Sequence, residues 1–260
     1  MMLTFMLEVL PFCVLFFHIA VVQLVPDNER IIGGAAAENS SAPYQVSLRD
    51  VNNTHFCGGA IINKKWIVTA AHCFNNFNDN TFTVVVGSNY LNEGGYIHEV
   101  ERLVKQSFDP KTMENDLALV KIKNEFEFND KFLLHNVKAI NLRKIEVEKG
   151  EKAKITGWGI TELNKSNNPN ELQELETTII SNLDCEMKWL YYGIIFKTQV
   201  CTLALGGKGT CFGDSGGPLT INDELVGVVS YGFPCAVGIP DVYTSIYSYL
   251  EWIEENINEN

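Results

Sequence analysis

The segment Gly213-Asp214-Ser215-Gly216-Gly217-Pro218 carries the strongest chemical signal in the chain. A serine flanked by glycines sits on a tight turn, where its own N–H and that of Gly213 can converge on a developing oxyanion. The pattern alone also fits an ordinary turn, or the nucleophile elbow of an α/β-hydrolase, in which an acid and a histidine follow the serine. The histidines are His18, His55, His72, His98 and His135, all upstream of Ser215, so the hydrolase order is excluded. His72 ends the apolar run Trp66-Ile-Val-Thr-Ala-Ala and is followed by Cys73, a possible anchor for the loop. Asp116, in Asn115-Asp-Leu-Ala-Leu, stands at the mouth of another apolar strand. A carboxylate there can accept the imidazole N–H, fix its tautomer and stabilise the imidazolium that forms. These residues read as nucleophile Ser215, general base His72 and orienting group Asp116, the equipment for acyl transfer through a covalent acyl-enzyme.

Such residues need a rigid frame, and the rest of the chain supplies one. Its 260 residues, 46% hydrophobic and 20% charged, suffice for one or two packed domains and exclude a disordered or fibrous chain. A net charge of -12 removes the basic footprint that nucleic acid or an anionic membrane surface requires. Short strands punctuated by Gly, Asn and Pro recur at Tyr44 to Leu48, Thr81 to Gly87, Asp116 to Ile122, Glu151 to Gly157 and Glu224 to Ser230. They predict an all-β sandwich or barrel. The clearest helix signal starts at Tyr243, where Ile246, Leu250, Ile253 and Ile257 share one face. The polar run from Leu163 to Glu171 reads as an exposed loop.

The apolar stretch Val9 to Val22 is short and close to the start, and it reads as a secretory signal occupying residues 1–24. Glu8 stands where a basic residue is usual, and a retained anchor is the alternative. With Cys13 inside that signal, Cys57, Cys73, Cys185, Cys201, Cys211 and Cys235 remain, an even set that suits disulfides in an exported protein. Their pairing is open on the residues alone. A zinc site is a poor fit, since no Cys-x-x-Cys occurs. Sequons at Asn39, Asn52 and Asn164 agree with the secretory route.

The order His72, Asp116, Ser215 is that of chymotrypsin. Together with Ile31-Ile-Gly-Gly, Thr69-Ala-Ala-His-Cys, Asn115-Asp-Leu-Ala-Leu, Thr156-Gly-Trp-Gly, Cys211-Phe-Gly-Asp-Ser-Gly-Gly-Pro-Leu, Val229-Ser-Tyr-Gly and Pro240-Asp-Val-Tyr-Thr, it resembles the chymotrypsin and trypsin family of serine proteases. The resemblance spans residues 31–260 and is greatest to arthropod chymotrypsin-like enzymes. It implies two six-stranded antiparallel β-barrels with a C-terminal helix and the cleft between the barrels. His72 and Asp116 would come from the first barrel, and Ser215 from the second. It also implies the pairs Cys57 with Cys73, Cys185 with Cys201, and Cys211 with Cys235, and an oxyanion hole of the Gly213 and Ser215 N–H groups. Ser88 stands where calcium-binding relatives offer a carboxylate, so neither metal nor cofactor is expected.

Cleavage between Arg30 and Ile31 would free an α-ammonium on an apolar end, and the resemblance names Asp214 as its buried partner. Residues 25–30 are then a short activation peptide removed by a trypsin-like protease, and activity should fall when alkali deprotonates the new amine. The resemblance also places Gly209 at the floor of the primary pocket, with Ser230 and Gly232 on one wall and Asp241 on the other. A neutral floor favours cleavage after Phe, Tyr, Leu or Met, with Phe212 at the lip and Tyr231 beside the substrate strand. Asp241 opens two alternatives, either pairing with an incoming Lys or Arg for mixed, collagenase-like or trypsin-like specificity, or bonding locally and staying clear of substrate. The expected partners are protein or peptide substrates and protein protease inhibitors, and the protein is expected to be a monomer. A catalytically dead homologue serving as a binding module is the rival class, but such proteins usually lack a triad residue. With no accessory domain ahead of Ile31, a stand-alone digestive or venom enzyme is expected.

Overall fold

The computed structural model describes residues 33–75, 77, 81–128, 137–161, 168–204, 206–233, 235 and 237–258. The expected signal, the Arg30–Ile31 bond and the sequon at Asn164 lie outside them. After the short β1 (Ala35–Ala36), the first barrel comprises β2 (Gln45–Asp50), β3 (His55–Ile61), β4 (Trp66–Thr69), β5 (Phe82–Val86), β6 (Tyr96–Lys105) and β7 (Ala118–Ile122). These six close in the order β2-β3-β4-β7-β6-β5. The short β8 (Asn141–Leu142) leads into β9 (Lys152–Gly157), β10 (Gln173–Ile180), β11 (Gln199–Thr202), β12 (Pro218–Ile221), β13 (Glu224–Tyr231) and β14 (Asp241–Ser245). The second six also close, because β9 pairs with both β10 and β12 while β11, β14 and β13 bridge the remaining side. All ladders within the two barrels are antiparallel, as expected.

Alternation drives the first barrel. Val46 and Leu48 of β2 point into a core shared with Ile67, Val84, Leu119 and Ile122, and all of these are essentially inaccessible to water. Burying one such side chain stabilises the fold by about 1.5 to 3 kcal/mol. Gln45, Ser47 and Arg49 point the other way and are buried too, each at most 4% exposed. Their face of β2 is covered by the second barrel: Gln45 Oε1 accepts from Thr156 Oγ1 at 2.6 Å. The second core gathers Ile155, Ile179, Leu219, Val226 and Tyr243.

Two helical details differ from the sequence expectation. Tyr243 lies in β14 and is fully buried; the C-terminal helix α2 runs from Leu250 to Asn258, after a short 3-10 turn. The periodicity read from Tyr243 onward mixes an inward strand residue with a true helical stripe, of which Ile253 is buried against the first barrel. A second helix, α1 (Asn182–Trp189), is capped by Ser181, whose Oγ accepts from the N–H of Asp184 at 3.1 Å. Among the described residues, no helix is long and apolar enough to cross a membrane.

The cysteines pair as Cys57–Cys73, Cys185–Cys201 and Cys211–Cys235. The Cys185–Cys201 bridge ties α1 to β11 across a sequence separation of 16 residues. Replacing both by Ala should lower unfolding stability by about 2 to 5 kcal/mol, read as an earlier urea midpoint in equilibrium denaturation.

Candidate active site

His72 lies in one 3-10 turn, Ala71–Phe74, directly after β4. Ala70 and Ala71 are fully buried, and Cys73 is clamped to Cys57 on β3, so the backbone beneath the imidazole has no room to shift. Asp116 is wholly inaccessible. Its Oδ1 accepts the His72 backbone N–H at 2.8 Å, while Oδ2 faces His72 Nδ1 at 2.7 Å and accepts the Ser230 hydroxyl at 2.5 Å. Because the carboxylate only accepts, Nδ1 must carry the proton, and Nε2 is left as a base.

Late segments of the chain hold Asp116 in place. The Thr244 hydroxyl donates to its backbone carbonyl at 2.7 Å. The Tyr249 hydroxyl donates at 2.7 Å to the side-chain oxygen of Asn115, which has a φ of 56°. Ser230, expected as pocket wall, therefore has a second task as a donor to the buried carboxylate.

Ser215 sits where the barrels touch. Its carbonyl accepts from Gly58 N–H of β3 at 2.7 Å, and Gly216 N–H donates to Val229 O of β13 at 2.8 Å. A Cβ on Gly216 would fall 2.2 Å from Thr69 Oγ1, and its φ of 76° disfavours other residues as well. Gly213, at φ 101°, turns the preceding loop. The N–H groups of Gly213 and Ser215 have no acceptor among the described residues, which leaves two donors for an oxyanion. No hydrogen bond joins Ser215 Oγ to His72 Nε2 in this conformation; that contact commonly tightens only with substrate bound.

A cavity of about 210 Å³ opens beside Ser215, with Thr210, Ser230 and Gly232 in its lining and the 66% exposed Phe212 at its lip. Gly209 and Asp241 lie just outside that lining. The Asp241 carboxylate is wedged between two glycines: a Cβ on Gly209 would meet Oδ2 at 2.8 Å, and one on Gly232 would meet Oδ1 at 2.7 Å. Oδ2 accepts Thr210 N–H at 2.9 Å, and burial, reinforced by Asp214, pushes the group up to about 7. Burial likewise holds the Tyr231 phenol near 12, so it stays neutral at physiological pH. Cys57, His72 and Cys73 cluster closely, but both sulfurs are spent in a disulfide and cannot ligate a metal.

Sequence reasoning passed over His55. Its Nε2 faces Gly213 O at 2.9 Å, and its Nδ1 faces Ser47 Oγ at 2.9 Å. The available signal was its place two residues before Cys57, on the strand that receives Ser215.

The family model described as Trypsin matches residues 31–253. The chain belongs to the trypsin family of serine proteases. It is 38% identical to Chymotrypsin-2 of Vespa crabro, over 87% of this chain and 99% of that protein. Identity to Serine protease 1 of Homo sapiens is 36%, over 90% and 92% of the two chains, and identity to Trypsin of Sarcophaga bullata is 38%, over 88% and 90%. Among solved structures, neuropsin, a serine protease expressed in the limbic system of mouse brain, superposes with a TM-score of 0.77 at 30% identity. That match covers 86% of this chain and 99% of neuropsin. Membership of the family makes the chain a serine endopeptidase, with proteins as substrates and protein inhibitors as natural partners.

Asp214, next to Ser215 in the sequence, is a second wholly buried acid of the site. Fully buried, it accepts N–H groups from Gly159 at 2.7 Å and Cys211 at 3.0 Å, yet desolvation still raises it to about 6. Among the described residues it has no cationic partner. An acid whose folded pKa is raised is protonated in the native state while already ionised in the unfolded one, so native stability falls as pH climbs from about 4 to about 6. Thermal melts of the uncleaved chain and of Asp214→Asn across that window should show the decline in the parent and a weaker one in the variant.

Proposed function

We propose that the chain is the precursor of a secreted endopeptidase, switched on by cleavage after Arg30 and preferring large apolar residues before the scissile bond. The observation that carries the catalytic assignment is the pairing of His72 Nδ1 with the buried Asp116, which leaves Nε2 as the base, together with Gly213 and Ser215 N–H groups that have no acceptor among the described residues. Ser215 Oγ would attack the peptide carbonyl and form a C–O bond while His72 Nε2 takes the hydroxyl proton. The oxyanion would settle on the N–H groups of Gly213 and Ser215. Collapse would break the C–N bond as His72 returns the proton to the departing amine, leaving an acyl-enzyme that water hydrolyses through the same base. Asp116 orients the imidazole and stabilises its charge.

Activation follows from Asp214. An α-ammonium freed at Ile31 would give the desolvated carboxylate the cation it lacks, and the pair would brace the loop carrying Gly213. Residues 1–24 as leader and 25–30 as activation peptide, followed by a protease domain over 31–260, complete the reading. The three disulfides support export to an oxidising compartment. A digestive role and a monomeric state remain part of the proposal.

After trypsin processing, the parent should react with a serine-directed phosphonate at Ser215 and show burst acylation. Ser215→Ala should lose both, together with about a million-fold in kcat, at unchanged circular dichroism.

Specificity turns on Asp241. The apolar lip and the neutral Gly209 favour Phe, Tyr, Leu or Met, and a protonated Asp241 leaves that preference intact. Ionisation near pH 7 would place a negative charge behind the two glycines, within reach of a Lys or Arg head group. Mixed specificity is thus a second reading, favoured above neutral pH. Between pH 6 and pH 9, the ratio of kcat/KM for Lys over Phe substrates should rise about tenfold in the parent, the worth of a charged hydrogen bond. In Asp241→Asn it should stay flat, as measured with a peptide panel differing only at that residue.

A further inference from the structure

One buried amide joins the two barrels through Tyr231, a residue lining the cavity beside Ser215, and the peptide-cleaving chemistry does not call on it. Gln199, at the start of β11, is only 3% exposed. Its Oε1 accepts the Phe196 N–H at 2.9 Å and the Tyr231 hydroxyl at 3.3 Å. Its Nε2 donates to the carbonyl of Met113 at 3.4 Å. Phe196 and Tyr231 come from the second half of the chain, whereas Met113 lies in the connection between β6 and β7, just ahead of Asp116.

We propose that Gln199 is a positioning residue, whose amide holds Tyr231 and the Met113 loop at one spacing and so fixes a wall of the cleft for the substrate residues that precede the cleaved one. Donor counts set the orientation of the amide. The Phe196 N–H can only donate and the Met113 carbonyl can only accept, so Oε1 faces the first and Nε2 the second. The phenol must then donate, and it shares its hydrogen with Ile194 O at 3.4 Å. Burial holds that phenol near 12, so the hydrogen stays in place at working pH. The pairing of β13 with β14 shifts register between Val229 and Tyr231, an irregularity of the kind that re-aims a side chain. Trp189 of α1 meets the ring edge to face, with centroids 5.2 Å apart, and its own Nε1 donates to Pro240 O at 3.0 Å. The ring is thus held on one side by Trp189 and at its tip by Gln199. Ser230 and Gly232 wall the pocket for the cleaved residue, and Tyr231 carries that wall onward to α1. The departing amine must face His72, which leaves this side of the cavity for the preceding residues. The Met113 end needs similar support. Met113 and Asn115 have φ values of 60° and 56°, which residues other than glycine keep only when their surroundings hold them. Tyr249 secures Asn115, and Gln199 secures Met113. An apolar residue in place of Gln199 would therefore release the wall from both barrels, while the bonds of Asp116 to His72 and Ser230 remain.

The proposal deepens the reading of the cavity beside Ser215 as the seat of the substrate, and it rests on that reading. Two p-nitroanilides of Phe, one merely acetylated and one extended by three apolar residues, separate the wall from the pocket, since both present the same side chain and leaving group. Acylation limits the turnover of anilides, so KM reports binding. In the trypsin-processed protein, Gln199→Met should raise KM for the extended anilide about fivefold to tenfold, the loss expected for one hydrogen bond, and leave kcat within about twofold. For the acetylated Phe anilide, both constants should stay within about twofold of the parent. Tyr231→Phe, which deletes only the phenol, should raise the same KM about threefold, and it serves if the Met variant does not fold. The double variant should lose less than the product of the two single effects, because both substitutions cut one bond. Folded single variants with parental KM on the extended anilide, or effects that simply multiply, refute the proposal. A fall in kcat on both anilides refutes it too, since that marks damage to the triad rather than to the wall. The underlying reading fails in a different way: a parent that does not react with phosphonate at Ser215, or that binds the two anilides equally, overturns it and the proposal with it.

Discussion

Two backbones run almost in contact along the line where the barrels meet, and the geometry of the site depends on that approach. Gly58 on β3 donates its N–H to Ser215 O at 2.7 Å, and a Cβ on Gly58 would lie 2.9 Å from the Cα of Gly217. No side chain can be inserted there without prying the barrels apart. The close fit brings a serine from one barrel to a histidine and an aspartate of the other, with no long flexible arm between them. Precision of this kind comes from rigid elements more readily than from loops.

Three buried carboxylates lie around that line, and their environments divide the labour. Asp116 accepts two N–H groups from His72 and the hydroxyl of Ser230. Asp214 accepts two backbone N–H groups and Asp241 one, and desolvation dominates both, lifting them toward neutrality. Similar acids thus sit in unlike surroundings: three donors converge on Asp116, whereas burial prevails at Asp214 and Asp241.

Much of the frame was legible because its signals are local. Alternating strands, glycine-punctuated turns and the Ser215 loop each announce themselves within a few residues, and the chain order of His72, Asp116 and Ser215 excluded the competing hydrolase arrangement. What escaped was non-local. The short helix α1 was missed although Ser181 offers a cap, because Leu183 and Met187 are exposed and blur the apolar stripe. Tyr243 looked helical from its spacing to Ile246, yet it fills the second barrel's core as a strand residue. Ser47, Arg49 and His55 drew no functional reading, because nothing in their own segment reveals the second barrel lying over them. Ser230 was seen only as pocket wall, since its bond to Asp116 spans 114 residues of sequence.

The way Asp116 is secured has a consequence for folding. The groups that steady it, Ser230, Thr244 and Tyr249 through Asn115, all lie beyond the first barrel in the sequence. Those residues follow the first barrel in chain order, so the barrel can assemble while its histidine still lacks a fixed direction. His72 and Asp116 can therefore take up their final geometry only once β13, β14 and the turn carrying Tyr249 have docked on the first barrel.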